Sequence, residues 1–207
     1  MPAATRTLTA RPAMHDALTP HLIRREHEAL RAVLLAMTRL LRDAWRRGCP
    51  PDFRALRAML FYIGEFPERL HHVKESAMLF PRLRERVPEA SALLDRLNQD
   101  HGSGEHRVRE LEHLLTAWEM LGDSRRVAFC SQLERHERFY LEHMRLEEEE
   151  LMPLAERHLE AGDWRILDRA FGAHRDPLAQ GRPEAPYEGL LETLRAWLPE
   201  EPADGVA

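Results

Sequence analysis

Cysteine is nearly absent from the 207-residue chain, with Cys49 and Cys130 the only two. Two isolated thiols make neither a disulfide framework nor a thiolate metal site, because each needs several sulfurs at close spacing. Lysine is scarcer still: Lys74 stands alone, so positive charge comes almost wholly from arginine. Those arginines alternate with acids along helical faces, the pattern of a solvated surface. A net charge of -5 and a pI near 6.2 argue against nucleic acid as a partner. No apolar run approaches the roughly 18 residues that span a bilayer. With 31% charged residues and a mean hydropathy of -0.52, the chain reads as soluble, without a membrane partner. Met1 to Leu18 lacks the continuous apolar core of a secretory signal, so the expected compartment is the cytoplasm.

Strand-like alternation is missing as well. Apolar residues instead recur at helical spacing through four long stretches, the first carrying Leu22, Leu30, Val33, Leu34, Met37, Leu40 and Leu41. The expected class is all-α, an antiparallel up-down four-helix bundle with short C-terminal helices. Helix 1 is expected from a Thr19-Pro20 start to about Arg47, before Gly48 and the Pro50-Pro51 break. Asp52 caps helix 2, which runs to about Arg86 with bends at Pro67 and Pro81. Helix 3 spans about Pro88 to Leu121, with Gly102 and Gly104 marking close packing or an irregularity. Gly122-Asp123-Ser124 then ends it and caps helix 4, which reaches Met152 or, past Pro153, Glu160. The chain divides into a flexible N-terminus over 1–18, the bundle over 19–160, and a helical flap and tail over 161–207. Within the last part, Trp164 to Phe171 and Tyr187 to Leu198 are expected to be short helices.

Histidine is the abundant exception, at twelve residues. Two segments share one template: His, a carboxylate four residues on, Leu four further, Pro two beyond. They are His71, Glu75, Leu79, Pro81 and His143, Glu147, Leu151, Pro153. Residues i and i+4 lie a turn apart on one helical face, so each pair offers an imidazole and a carboxylate to the same ion. The preceding helices each carry an acid-His pair, Glu26-His27 and Asp100-His101, and the chain looks like a duplicated helical hairpin. Four imidazoles and two or more carboxylates at one interior level exceed the needs of one ion. Two ions bridged by carboxylates account for the count, and a thiolate-free imidazole and carboxylate set suits iron, the choice made here, or manganese or zinc. Glu105 or His106 is a candidate further ligand, and Glu148 competes with Glu147.

These segments resemble the hemerythrin-like proteins with an HHE cation-binding domain. The resemblance is carried by Arg25-Glu26-His27-Glu28-Ala29-Leu30, His71-His72-Val73-Lys74-Glu75 with Leu79-Phe80-Pro81, Asp100-His101, and His143-Met144 with Glu147-Glu148 and Leu151-Met152-Pro153. It covers roughly residues 19 to 160. It implies a pseudo-symmetric four-helix bundle with a non-heme diiron site for oxygen or related small molecules. The implied ligands are His27, His71, Glu75, His101, His143 and Glu147 or Glu148. Oxygen-carrying members have a second histidine on helix 3, four residues after the first, where this chain has Glu105. An anionic ligand there favours the ferric state, and with it redox turnover or sensing over lasting oxygen carriage.

The remaining histidines read as ordinary. His15, His21, His158 and His174 are expected as surface or satisfied core residues outside the site. His136, two turns before His143 on the same face, is expected in a packing or surface role with support of the site as the alternative, and His72 pointing away from the site. A rival element, Glu68-x-x-His71 with Glu110-x-x-His113, matches ferritin-like diiron bundles. It fits less well, since twelve residues separate His113 from His101, about 18 Å along a helix. The functional expectation is binding, sensing or redox detoxification of oxygen, nitric oxide or peroxide, with enzymatic turnover left open. Iron buffering or delivery, a ferritin-like oxidase and a metal-free interaction module are the alternatives. A homodimer is compatible with the sequence.

Overall fold

The apolar stripes become helices. The computed structural model describes residues 17–173, 176–179 and 185–198. The calls on residues 1–16 and on the tail beyond 198, with His15 and His174, lie outside them. Helix α1 spans Leu18–Arg47 and stops where Gly48 takes a φ of 63°, which a residue without Cβ adopts freely. Asp52 caps α2 (Phe53–Ile63) by accepting from the Ala55 amide at 2.9 Å. The second arm continues through α3 (His72–Lys74) and α4 (Phe80–Arg86). α5 (Ser91–Leu121) is the third arm. The fourth is α6 (Arg126–Leu146) followed by α7 (Met152–His158). α8 (Ala161–Ala173) packs on α1, and α9 (Glu188–Arg195) on α2. No strand occurs among the described residues, and no helix there is long and apolar enough to cross a membrane.

Three stretches of these arms are wound as π-helix: Gly64–His71, Glu75–Leu79 and Glu147–Leu151. The first contains Pro67. The other two end just before Pro81 and Pro153. Proline has no N–H for the carbonyl four residues back, and a widened turn absorbs that mismatch without ending the helix. Two expected caps take other forms. Thr19 lies inside α1, where its amide and hydroxyl both donate to Asp168 of α8, at 2.8 and 2.7 Å. Ser124 falls in a short 3-10 turn, and Asp123 accepts from the Trp118 indole; neither caps α6.

Polar pairs between arms give their directions. Arg24, Arg31 and Thr38 of α1 meet Glu156, Glu148 and Glu137 of the fourth arm, so these two run oppositely. Arg57 and Arg84 meet Glu119 and Asp95, and Arg96 and Glu110 meet Glu142 and Gln132, with the same reversal. The core comes in two parts. One gathers Leu30 to Leu40, Ala55 to Phe66, Val108 to Trp118 and Phe129 to Met144. The other gathers Leu22 and Ile23, Leu79 to Leu83, Leu94 and Leu97, and Leu146 to Ala155, with α8 supplying Trp164, Leu167 and Phe171. In the first three arms a short polar stretch lies between the two, and in the fourth His143 and Glu147 flank the junction of Met144 with Leu146.

The segment after α8 brings Asp176 against the second arm. Its carboxylate accepts from the Tyr62 hydroxyl at 2.6 Å and from the Leu178 and Ala179 amides. Burial pushes the Asp176 carboxyl up to about 6, against the lowering effect of those hydrogen bonds. A carboxyl raised on folding stabilises the fold fully below its unfolded pKa and loses that contribution as pH rises through the folded value. Asp176→Asn, which cannot ionise, should therefore melt higher than the parent at pH 8, and the gap should close toward pH 4. Thermal melts across that range check this; a gap that is constant, or that widens in acid, would contradict it.

Candidate metal centre

The polar stretches of the four arms meet at one level. Glu26 and His27 come from α1, Glu68 to Glu75 from the second arm, Asp100 and His101 from α5, and His143 and Glu147 from the fourth. Glu75 and Glu147 sit deepest, each 0% exposed. One Glu147 oxygen lies 3.2 Å from His27 Nε2, while the other lies 3.3 Å from His143 Nε2 and 3.5 Å from His101 Nε2. Glu75 Oε2 is 3.2 Å from His71 Nε2 and 3.5 Å from His101 Nε2. These contacts lack hydrogen-bond geometry, so both oxygens of each carboxylate and the Nε2 atoms of His27 and His71 have no hydrogen-bond partner. His27, His71, Glu75 and Glu147 can present one ligand atom each within 4.8 Å of one another, and so can His72, His101 and His143. The two carboxylates stand between two groups of imidazoles.

The outward ring nitrogens are held from neighbouring arms. His71 Nδ1 is 2.6 Å from Glu26, His27 Nδ1 is 2.8 Å from Glu148, and His101 Nδ1 is 2.8 Å from the Ser76 hydroxyl. His143 Nδ1 faces Asp100 at 3.6 Å. Carboxylates and a hydroxyl that hold Nδ1 fix the rings of His71, His27 and His101 and turn their Nε2 atoms inward, the usual support of a metal-binding histidine, whereas His143 Nδ1 has no hydrogen-bond partner. The pattern also obeys the duplication. Glu26 and Asp100 each serve the histidine of the next arm, and Ser76 and Glu148, each one residue past an interior glutamate, serve the histidine of the arm facing them.

Charge follows the same lines. Burial opposes ionisation of Glu147, yet His143, His101 and His27 hold it well below the ordinary carboxylate range. Burial likewise disfavours charge on His71, but Glu75 and Glu26 hold its pKa well above ordinary. Burial, then His101 and His143, keep His72 well below the usual histidine value, so it is neutral near pH 7 with a lone pair to offer.

Several expected ligands lie elsewhere. Glu105 is exposed, with its side chain 61% accessible and paired to Arg109, so it is not brought into the cluster. One residue earlier, Gly104 takes the interior position, and Glu105 turns outward. His106 is exposed, and so are Glu110 and His113 of the rival element. Glu148 is not central: it supports His27 and pairs with Arg31. His21 and His158 are exposed. His136 is fully buried edge-on against Tyr140, and burial, then Arg107, push it down to about 3.

His72 is the residue that spacing to His71 concealed. It was expected to point away, yet it is 5% exposed and stacked on His101 at 4.2 Å between centroids. A helix buries a stripe about 100° wide, enough to include two consecutive residues. Glu68, His71, His72 and Glu75 are such a stripe, at i, i+3, i+4 and i+7. The signal was available in the duplicate, where Tyr140, His143, Met144 and Glu147 carry the same spacing and Met144 is apolar.

Comparison with known families is decisive here. The family model described as hemerythrin HHE cation binding domain matches residues 18–155. The chain belongs to the hemerythrin HHE family. Neither the curated proteins nor the solved structures searched gave a match.

The hemerythrin HHE assignment and the geometry agree on cation binding. Buried polar atoms without partners cost roughly 1–3 kcal/mol each, and more when charged, and here the orphaned atoms are lone-pair donors gathered in one place. Imidazole and carboxylate without thiolate match iron, manganese or zinc, so the residues present fit a metal. Binding to the folded form alone stabilises it, by about 2.7 kcal/mol at a hundred times the Kd. Chelator-stripped protein should accordingly melt several degrees below the metal-loaded form, at roughly 2–4 °C per kcal/mol for a domain of this size. Equal melting temperatures would contradict a buried metal centre.

Proposed function

We propose that this chain is a cytoplasmic non-heme diiron protein that binds or reacts with oxygen, nitric oxide or peroxide inside a closed antiparallel up-down four-helix bundle. The observation that carries the reading is the reach of Glu147 and Glu75. Each carboxylate lies within 3.5 Å of histidines from both imidazole groups, a placement suited to sharing between two ions. Reversed pairing between neighbouring arms supports the bundle, and scarce cysteine is consistent with the cytoplasm. The ligands in this reading are His27, His71, Glu75, His101, His143 and Glu147.

Iron held there supplies Lewis acidity and one-electron redox change. The protein's share is position. Glu26, Glu148 and Ser76 hold the rings of His71, His27 and His101, and apolar clusters lie at both ends of the layer. A cavity of about 10 Å³, about the room of one water molecule, is lined by Glu26, His27, Leu30, Pro67, His71, His72, Met144 and Asp176, and a depression of about 650 Å³ open to solvent borders Glu68, His72, Ser76 and His101. The space inside the layer itself thus suits a small ligand. Glu105, exposed and paired with Arg109, brings no negative charge to the cluster and does not favour its ferric state. Glu75 and Glu147 supply the anionic balance instead.

Freshly purified protein should carry about two iron ions per chain, the number this ligand count accommodates. His71→Ala, Glu75→Ala or His143→Ala should lower that content at least severalfold, and the exposed His158→Ala should leave it unchanged. Azide on the oxidised form, or nitric oxide on the reduced form, should alter the optical spectrum. Iron retained in the first three variants, or spectra indifferent to both probes, would refute the assignment.

A further inference from the structure

We propose that His72 is itself a metal ligand, the third imidazole beside His101 and His143 on one of the two ions, and that Glu68 orients its ring. The inference rests on the diiron reading and assigns a residue that reading does not include. Three rings converge here. His72 stacks on His101 with an interplanar angle of 12° and meets His143 edge-on at 5.2 Å, and each of the three offers a nitrogen within 4.8 Å of the others.

Departure from the internal duplication makes the case independent of distance alone. His71, Glu75 and Ser76 correspond to His143, Glu147 and Glu148. By the same register His72 corresponds to Met144, and Glu68 to Tyr140. On the preceding helices His27 corresponds to His101, and Leu30 to Gly104. The halves thus differ at three places that meet in space. Where one half packs Leu30, Tyr140 and Met144, all within the apolar core, the other holds Gly104, Glu68 and His72. A Cβ on residue 104 would overlap the Glu68 carboxylate, so glycine there leaves that carboxylate its place and a larger residue would make it shift. From there Glu68 Oε2 lies 3.4 Å from His72 Nδ1. This is a longer form of the carboxyl-to-Nδ1 contact that His27 and His71 receive from Glu148 and Glu26 at 2.8 and 2.6 Å. A buried histidine that merely filled core space would need neither the carboxylate nor the glycine that admits it.

On this assignment one imidazole group holds His72, His101 and His143 and the other His27 and His71, and His72 also lines the small cavity beside His27 and His71.

The experiment compares the parent with His72→Met, which copies the residue its duplicate already tolerates, and with Glu68→Ala. Iron per chain is measured after dialysis against a graded series of chelator concentrations, and histidine coordination by X-ray absorption on the loaded proteins. His72→Met should release one of the two ions at least tenfold more readily than the parent while keeping the other, and should lose nitrogen scattering from imidazole. Glu68→Ala should release the same ion about 10–100-fold more readily, as loss of a supporting partner does, and Glu68→Gln should recover most of it. His72→Gln gives the same readout should the methionine variant fold poorly. Two ions held by His72→Met or His72→Gln as firmly as by the parent, with unchanged imidazole scattering, would overturn the ligand assignment and leave the diiron reading intact. A parent with fewer than two ions would overturn both.

Discussion

Two carboxylates with no access to solvent set the terms for everything around them. Glu75 and Glu147 are completely buried, and neither has a hydrogen bond. A charge in that position costs several kcal/mol unless it is compensated, more than the roughly 1.5–3 kcal/mol gained by burying one leucine. Imidazoles from all four arms are therefore drawn to one level, and their own outer nitrogens need further acids, which is why Glu26, Asp100 and Glu148 lie just outside. The apolar clusters above and below then serve a second purpose besides cohesion. They surround the buried Glu75 and Glu147 with apolar side chains, and a lower local dielectric strengthens each electrostatic contact there.

Duplication explains how such a layer is assembled from one chain. Each half contributes a helix with an acid-His pair and a helix with a His-Glu clamp, and each supporting residue acts across to another arm. No arm holds a complete site. The cluster therefore comes together only where the arms pack against one another. The C-terminal helices extend this closure: Phe171 approaches His71 edge-on, and Asp176 reaches the small cavity.

Much of this was legible in the sequence because helices advertise themselves by apolar spacing, and because the His-x-x-x-Glu clamp occurs twice. The four arms, the Asp52 cap and the interior histidines of each arm could be located without coordinates. What escaped depended on partners distant in the chain. Asp168, which binds the start of α1, comes from a helix 149 residues later. Glu68 places its carboxylate in the space that Gly104 of another arm leaves open. Glu105 shares a helical spacing with His101, but spacing alone cannot say which of residues 104 and 105 faces inward. His72 was set aside on the rule that neighbours diverge, although the wide buried stripe of the second arm takes in both. The π-helical turns at the two interior glutamates were legible only as prolines.

X-ray absorption at the iron edge of the loaded protein bears most directly on whether Glu75 and Glu147 are shared between two ions. The account predicts a metal-metal scattering shell in addition to the nitrogen and oxygen neighbours, and its loss when Glu147 is replaced by alanine. Scattering from light atoms alone in the fully loaded parent would contradict it.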